Sequence, residues 1–126
     1  MKKLSNYEQT LLDGWEDVHK KGQLSLWILL ALKQGPKHMA TIKAAIADLT
    51  ADTIVPDDKS MYRALRRFHD AELVHFKHTP SQSGPDLKIY SLSEEGSRVL
   101  SQFLHRNVIN VFYKPKVRTL IEKGAV

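Results

Sequence analysis

Residues 58–74 read DKSMYRALRRFHDAELV. Met61, Leu65 and Phe68 recur at helical spacing and form an apolar stripe, with Ala64 and Ala71 beside it. Lys59, Arg63 and Arg66 follow i, i+4, i+7 and share another face, and Arg67 lies next to them. From Lys59 to Arg67 there are four cations and no anion; the acids come afterwards, at Asp70 and Glu72. A solvated helix usually mixes its charges, whereas a helix that lies against a polyanion need not. Taken alone, the segment leaves both readings open.

The flanking chain decides between them. Leu24–Gln34 is apolar nearly all round and fits a core helix, stopped by Gly35-Pro36. His38–Leu49 fits a second, with Met39, Ile42, Ala45, Ile46 and Leu49 on one face. Asp57 or Asp58 caps the basic helix, which runs to about Glu72. Two β-like runs follow, LVHFKHT (Leu73–Thr79) and LKIYSL (Leu87–Leu92), joined by the polar loop PSQSGPD (Pro80–Asp86). Helix, helix, helix, strand, loop, strand is the plan of a winged helix-turn-helix, with the basic helix in the recognition position and the hairpin loop as the wing. The expected fold is therefore mainly α, with a small two-stranded antiparallel hairpin.

On such a plan Lys59, Ser60, Tyr62, Arg63, Arg66 and Arg67 are candidate DNA contacts. Arg can grip guanine edges or phosphates, Lys acts as a point charge, and hydroxyls can bond phosphate oxygens. In the wing the candidates are Lys77, His78, Ser81, Gln82, Ser83 and Lys88, with Asp86 expected to point away from phosphate. The bulk properties agree: 126 residues make about one domain, 42% of them are hydrophobic, and the net charge is +5.

Two further helices flank the plan. Ser5 can cap the first, whose stripe is Tyr7, Leu11, Leu12, Trp15 and Val18; Gly14 weakens it and Gly22 is expected to end it. Ser93 can cap a last long helix from Glu94 to Phe112, carrying Val99, Leu100, Phe103, Leu104, Val108, Val111 and Phe112. Pro115 interrupts it, and the basic tail can add a short helix. A winged-helix core leaves these stripes without partners, and monomers rarely expose such patches. A two-fold dimer is therefore expected, with Tyr7, Leu11, Leu12, Trp15, Val18, Leu100, Phe103, Leu104, Val108 and Val111 at its interface. The expected division is residues 1–22 for dimerisation, 23–92 for DNA binding, and 93–126 for a dimerisation helix and basic tail.

Four pieces carry a family resemblance: KSMYRALRRFHDAELV, ILLALKQGPKH (Ile28–His38), IYSLSEEG (Ile89–Gly96), and the spacing between them. Together they resemble the PadR-like transcriptional regulators, over about residues 24–106. Ser60, Tyr62, Ala64, Leu65, Arg66, Arg67, Phe68, Leu73 and Val74 fall in that family's register. The chain departs from it at MATI after His38, at Arg63 where the family often has proline, and at Glu72 where it often has a turn glycine. The short C-terminal part is similar to the compact subgroup with a single C-terminal helix. The resemblance implies a dimeric, cytoplasmic DNA-binding regulator that represses by occupying a palindromic operator. In some members aromatic residues at the dimer interface hold flat hydrophobic compounds, so a small hydrophobic effector is also open, with Trp15, Trp27 and Phe103 available. A third reading is a winged-helix interaction module that no longer binds DNA; the dense cations of residues 58–72 argue against it.

Other chemistry finds little support. With no cysteine there is no disulfide, thiolate nucleophile or Cys-based zinc site. His75 and His78, three apart in a strand, face opposite ways, and no metal or cofactor is expected. Glu94-Glu95 suits a helix N-terminus better than acid catalysis, and no phosphate loop or catalytic triad spacing appears, so no enzyme is expected. No signal peptide is expected, and Leu24–Leu32 is far shorter than the roughly 20 residues that span a bilayer.

Overall fold

A computed structural model describes residues 2–124; residues 1, 125 and 126, at the ends of the expected terminal segments, lie outside it. The order is α1 (Asn6–Lys33), α2 (Met39–Leu49), α3 (Asp58–Asp70), β1 (Val74–Thr79), β2 (Leu87–Leu92), α4 (Glu94–Leu104), a π-helical turn (His105–Ile109), α5 (Asn110–Phe112) and α6 (Pro115–Gly124). The mainly helical winged-helix plan with one antiparallel hairpin is present.

The core is built where sequence patterning put apolar residues. Ile28, Ala31 and Leu32 of α1 meet Ile42 and Ile46 of α2, Met61, Ala64 and Leu65 of α3, Val74 and Tyr90 of the hairpin, and Leu100 of α4. Phe68 packs at its edge. Ala71, expected beside the stripe, is exposed because it forms the C-cap of α3 rather than its last turn.

The largest difference from expectation is at the N-terminus. Gly22 does not end a helix: α1 runs unbroken for 28 residues, about 42 Å. A helical glycine costs only about 1 kcal/mol, and it stops a helix when the chain there turns left-handed. Gly22 stays helical between two well-held ends. At one, Ser5 and Glu8 form a capping box, with the Ser5 N–H donating to Glu8 Oε1 (2.9 Å) and the Glu8 N–H to Ser5 Oγ (3.1 Å). At the other, Ile28–Leu32 sits in the core. The real stop is Gly35, at φ +142°. The first half of α1 therefore projects from the body of the protein.

The turn after α1 adds a contact that periodicity did not suggest. The Lys37 N–H donates to the Tyr90 carbonyl (3.0 Å) and the Tyr90 N–H to the Lys37 carbonyl (2.8 Å), which fastens the α1–α2 turn to the edge of β2.

A second junction ties the hairpin to α3 and α4. Ser93 is 3% exposed. Its hydroxyl donates to the Glu72 carbonyl (2.7 Å) and accepts from the Gly96 N–H (2.9 Å), while its own N–H donates to the Leu73 carbonyl (3.0 Å). Gly96 lies directly under that carbonyl, and a Cβ there would run into the Leu73 oxygen. From this junction α4 lies back against α1. That geometry corrects one assignment: Leu100 is 2% exposed and belongs to the core, not to a free interface stripe.

The two kinds of glycine should separate in denaturant. Gly96→Ala should lower unfolding stability by about 1–3 kcal/mol, because backbone must move. Gly22→Ala, with open space around its Cβ, should raise it by up to about 1 kcal/mol. Urea titrations followed by circular dichroism check both; equal effects would remove the distinction.

Candidate nucleic-acid interface

Helix α3 is held at both ends by its own chain. At its start, Asp57 Oδ1 accepts from the Ser60 N–H (2.8 Å) and Oδ2 from the Ser60 hydroxyl (2.9 Å). These bonds, the backbone one foremost, hold the Asp57 carboxyl below the ordinary carboxylate range. A depressed acid stabilises the fold above its ordinary pKa and loses that contribution as pH falls through the lowered one, so the cap is intact at neutral pH. At its end, α3 closes with the Leu73 N–H on the Phe68 carbonyl (2.8 Å) and the Glu72 N–H on the His69 carbonyl (3.0 Å). This paired closure places its C′ residue in the left-handed region, and Glu72 takes that position at φ +62°. The residue that stands where the resemblance has glycine thus adopts glycine's geometry.

Between these ends Lys59, Tyr62, Arg63, Arg66 and Arg67 are all exposed. None of the four cations has an ion-pair partner among the described residues. The two acids at its start are engaged instead: Asp57 caps the helix, and Asp58 pairs with Lys43 of α2 at 2.7 Å. Ser60 is half-buried and its hydroxyl donates to Asp57, so a bond from it to phosphate would require that contact to break.

The hairpin pairs in simple antiparallel register, with Phe76 opposite Tyr90, Lys77 opposite Ile89 and His78 opposite Lys88. Alternation then puts His78 and Lys88 on one face and Lys77 on the other, so the structure brings together only two of the three expected strand contacts. Phe76 organises the first face. Its ring centroid lies 4.7 Å from that of His69, 5.6 Å from that of His78 and 5.7 Å from that of Tyr90, and Lys88 Nζ sits 4.6 Å from it. Cation–π contact of this kind steadies an otherwise free lysine. At the tip, Ser81 Oγ accepts from the Ser83 N–H (3.3 Å), and Gly84 turns the loop at φ +106°; Gln82 and Ser83 are exposed and Ser81 is half-buried.

A groove of about 680 Å³ runs between the start of α2, α3 and β2, lined by His38, Lys43, Asp58, Tyr62, Asp86, Lys88 and Tyr90 among others. Burial pushes the Tyr90 hydroxyl pKa up, and Tyr62 alongside adds to this. Sequence reasoning missed Lys43 and His38. Lys43 is the single cation of α2, which was the available signal, but its link to Asp58 spans fifteen residues and has no local signature. Asp86 also lines this groove, beside Lys88.

Across the intended dimer stripes, Tyr7, Leu11, Leu12, Trp15, Val18, Phe103 and Val111 are exposed, while Leu104 and Val108 are half-buried. Of the aromatics considered for an effector, Trp27 is half-buried against the core and its indole N–H donates to Gln23 (3.1 Å), whereas Trp15 is 75% exposed. Among the described residues no group of three His, Cys, Asp or Glu is placed to hold a metal, and no helix is long and apolar enough to cross a membrane.

A three-helix core, an exposed basic helix followed by a hairpin, and cations free of internal partners define the winged helix-turn-helix class of DNA-binding proteins. Within that class, the model of the PadR-like family of transcriptional regulators matches residues 28–102, more than half of the chain, and the protein belongs to this family. The fold is similar to a PadR family regulator from Eggerthella lenta (20% identity, 81% of this chain and 87% of that one, TM-score 0.67). It is also similar to a transcriptional regulator from Clostridium thermocellum (23% identity, 78% and 96%, TM-score 0.61). A third similar structure is Bacillus subtilis PadR, solved in complex with operator DNA (21% identity, 64% of this chain and 46% of that one, TM-score 0.59). No curated protein matches the chain.

The left-handed Glu72 generates a test. Glu72→Gly should raise unfolding stability by about 1 kcal/mol, because glycine adopts this conformation without strain. A fall in the urea midpoint would show that the Glu72 side chain contributes more than its backbone strain costs.

Proposed function

We propose that the protein is a dimeric repressor that occupies a palindromic operator in the cytoplasm. One observation carries this reading: Lys59, Arg63, Arg66 and Arg67 are exposed on α3 without carboxylate partners, while Asp57 and Asp58 are engaged elsewhere. Each cation that meets a phosphate releases a counterion, so affinity is supplied by the same residues that free themselves of internal pairs. Helix α3 lies in the major groove in this reading. Arg63, Arg66 and Arg67 stand at base edges or groove rims, and Lys59 and Tyr62 stand on phosphates. The loop with Ser81, Gln82 and Ser83 reaches the neighbouring backbone, assisted by His78 and Lys88 on one face of the hairpin or Lys77 on the other.

Dimerisation is supported by the apolar residues that a monomer would leave in water, above all Tyr7 (71% exposed), Trp15 (75%) and Val18 (70%). A two-fold dimer sets its recognition helices about 34 Å apart, one turn of DNA. Repression follows from occupancy, since a bound dimer excludes polymerase from the promoter it covers.

Arg66→Ala combined with Arg67→Ala should weaken operator binding about a hundredfold and leave thermal unfolding nearly unchanged. In the dimer this removes up to four charge contacts, so the slope of log K against log salt should become shallower by about 3 to 4. A mobility-shift titration at several salt concentrations reads both; unchanged affinity and slope would sink the assignment.

The exposed indole of Trp15 favours a further element of the reading, a flat hydrophobic effector held between it and Phe103 across a dimer. In a Trp27→Phe background, planar aromatic compounds should quench the remaining Trp15 fluorescence saturably. A panel without saturable quenching would remove the effector and leave the DNA reading intact.

A further inference from the structure

Helix α3 turns Met61, Ala64, Leu65 and Phe68 inward. Opposite them, at 3.6 residues per turn, runs a ridge of Lys59, Arg63, Arg66 and Asp70, all exposed. The two flanks of this ridge are told apart by what they meet. Tyr62 lines the groove shared with Lys88 and Tyr90 of β2, and the His69 ring lies 4.7 Å from that of Phe76 of β1, so this flank faces the hairpin. Ser60 lines a separate cleft with Lys20 and Leu24 of α1 and Val55 of the α2–α3 connector. Arg67, two turns on from Ser60, shares that second flank. The major groove is about 12 Å wide, close to the diameter of a helix with its side chains. A helix seated there presents its outward ridge to base edges and its flanks to the two phosphate strands.

The cations of α3 are not equivalent. Lys59 carries a point charge, which meets an acceptor without matching a pair of them. Asp70 stands four residues after Arg66 and three after Arg67, the spacings at which helical ion pairs form. Neither pair is closed among the described residues, but the free carboxylate lowers the positive potential beside both arginines. Arg63 differs. Its neighbours three and four residues away are Ser60, Lys59, Arg66 and Arg67, with no carboxylate among them. It is the one arginine fork of α3 set wholly among cations and hydroxyl, at the middle of the ridge. Like charges at this spacing weaken a helix, so Arg63 does nothing for the stability of α3. Asp70, at the far end of the ridge, is repelled by phosphate, which leaves the N-terminal half of the helix to sit deepest.

We infer that Arg63 is the specificity-determining residue of α3, its guanidinium donating to O6 and N7 of one guanine in each operator half-site. Tyr62 and Arg67, on opposite flanks, hold the phosphate strands on either side. This rests on the operator-binding reading and divides roles that the three arginines share there. Guanine is the base that fits, because its major-groove edge sets two acceptors side by side to match a fork of donors. Adenine offers one acceptor beside an amino group, which would set donor against donor.

Selection of double-stranded DNA from a random pool, followed by mobility-shift titration, tests the division. The full chain should enrich a two-fold symmetric site. Repeated with Arg63→Ala, selection should lose one guanine per half-site and keep the other positions. Exchanging that guanine for adenine in one half-site should weaken the wild type at least tenfold, whereas Arg63→Ala should bind both DNAs within about twofold of each other. Arg63→Lys should keep the salt dependence of the wild type but lose the discrimination, since it keeps the charge without the fork. Arg67→Ala should weaken both DNAs alike, keep the discrimination, and make the slope of log K against log salt shallower by about 2 in a dimer. Both residues are exposed, so each variant should keep the wild-type circular dichroism spectrum. A wild type that enriches no sequence would overturn the operator reading together with this one. An enriched site whose guanine preference survives Arg63→Ala or Arg63→Lys would overturn only the role of Arg63, and so would a preference lost in Arg67→Ala.

Discussion

The hydroxyl of Ser93 is the point on which the rest of the structure depends. It ties the turn after α3 to the first turn of α4, while the Ser93 N–H, just past the end of β2, donates to the Leu73 carbonyl just before β1. A buried hydroxyl that both donates and accepts satisfies its own polarity and that of two backbone groups. The Leu73 carbonyl occupies the space where a side chain of residue 96 would stand, so glycine is what lets the first turn of α4 approach it this closely. Beyond this junction α4 packs on α1 and Leu100 enters the core.

The proposed binding face is built by removing competitors as much as by supplying cations. Two aspartates sit at the start of α3 and would repel a polyanion if left free. One caps the helix and the other pairs with Lys43, so both serve the protein's own architecture. The basic residues of α3 have no such engagement among the described residues and stay exposed to water. The hairpin shows a related economy, since the Phe76 ring gathers His69, His78, Tyr90 and Lys88, giving the base of the loop a fixed attachment to α3. PadR-like membership and the solved relatives concern this part of the molecule, residues 28–102. The two ends of the chain extend beyond it.

Much of this was legible without coordinates. Ser5, the Asp57–Asp58 pair and Ser93 announced helix starts, because an N-cap needs only a short polar side chain three residues before an unpaired N–H; the structure chose Asp57 of the pair. The α3 stripe and the loop from Pro80 to Asp86 were equally readable from period and turn chemistry. Gly22 misled, since a glycine's effect on a helix depends on what holds the residues either side of it. Leu100 misled because an apolar position at helical spacing looks alike whether its face meets the core or water. The separation of Lys77 from His78 and Lys88 was available in the strand's two-residue alternation and went unused.

The sequence by itself determined the local elements, their caps and their charge, and through these the winged-helix class, because each depends on residues within a few positions of one another. Tertiary structure decided which faces are free: that the outer half of α1 projects, that Leu100 is enclosed, and that Lys43 reaches Asp58. It also decided that Lys37 bridges to Tyr90. The physical reason is range. These contacts join residues far apart in the chain, and their partners meet only once the Ser93 junction and the packing of α1 on α2 have set the directions of the helices.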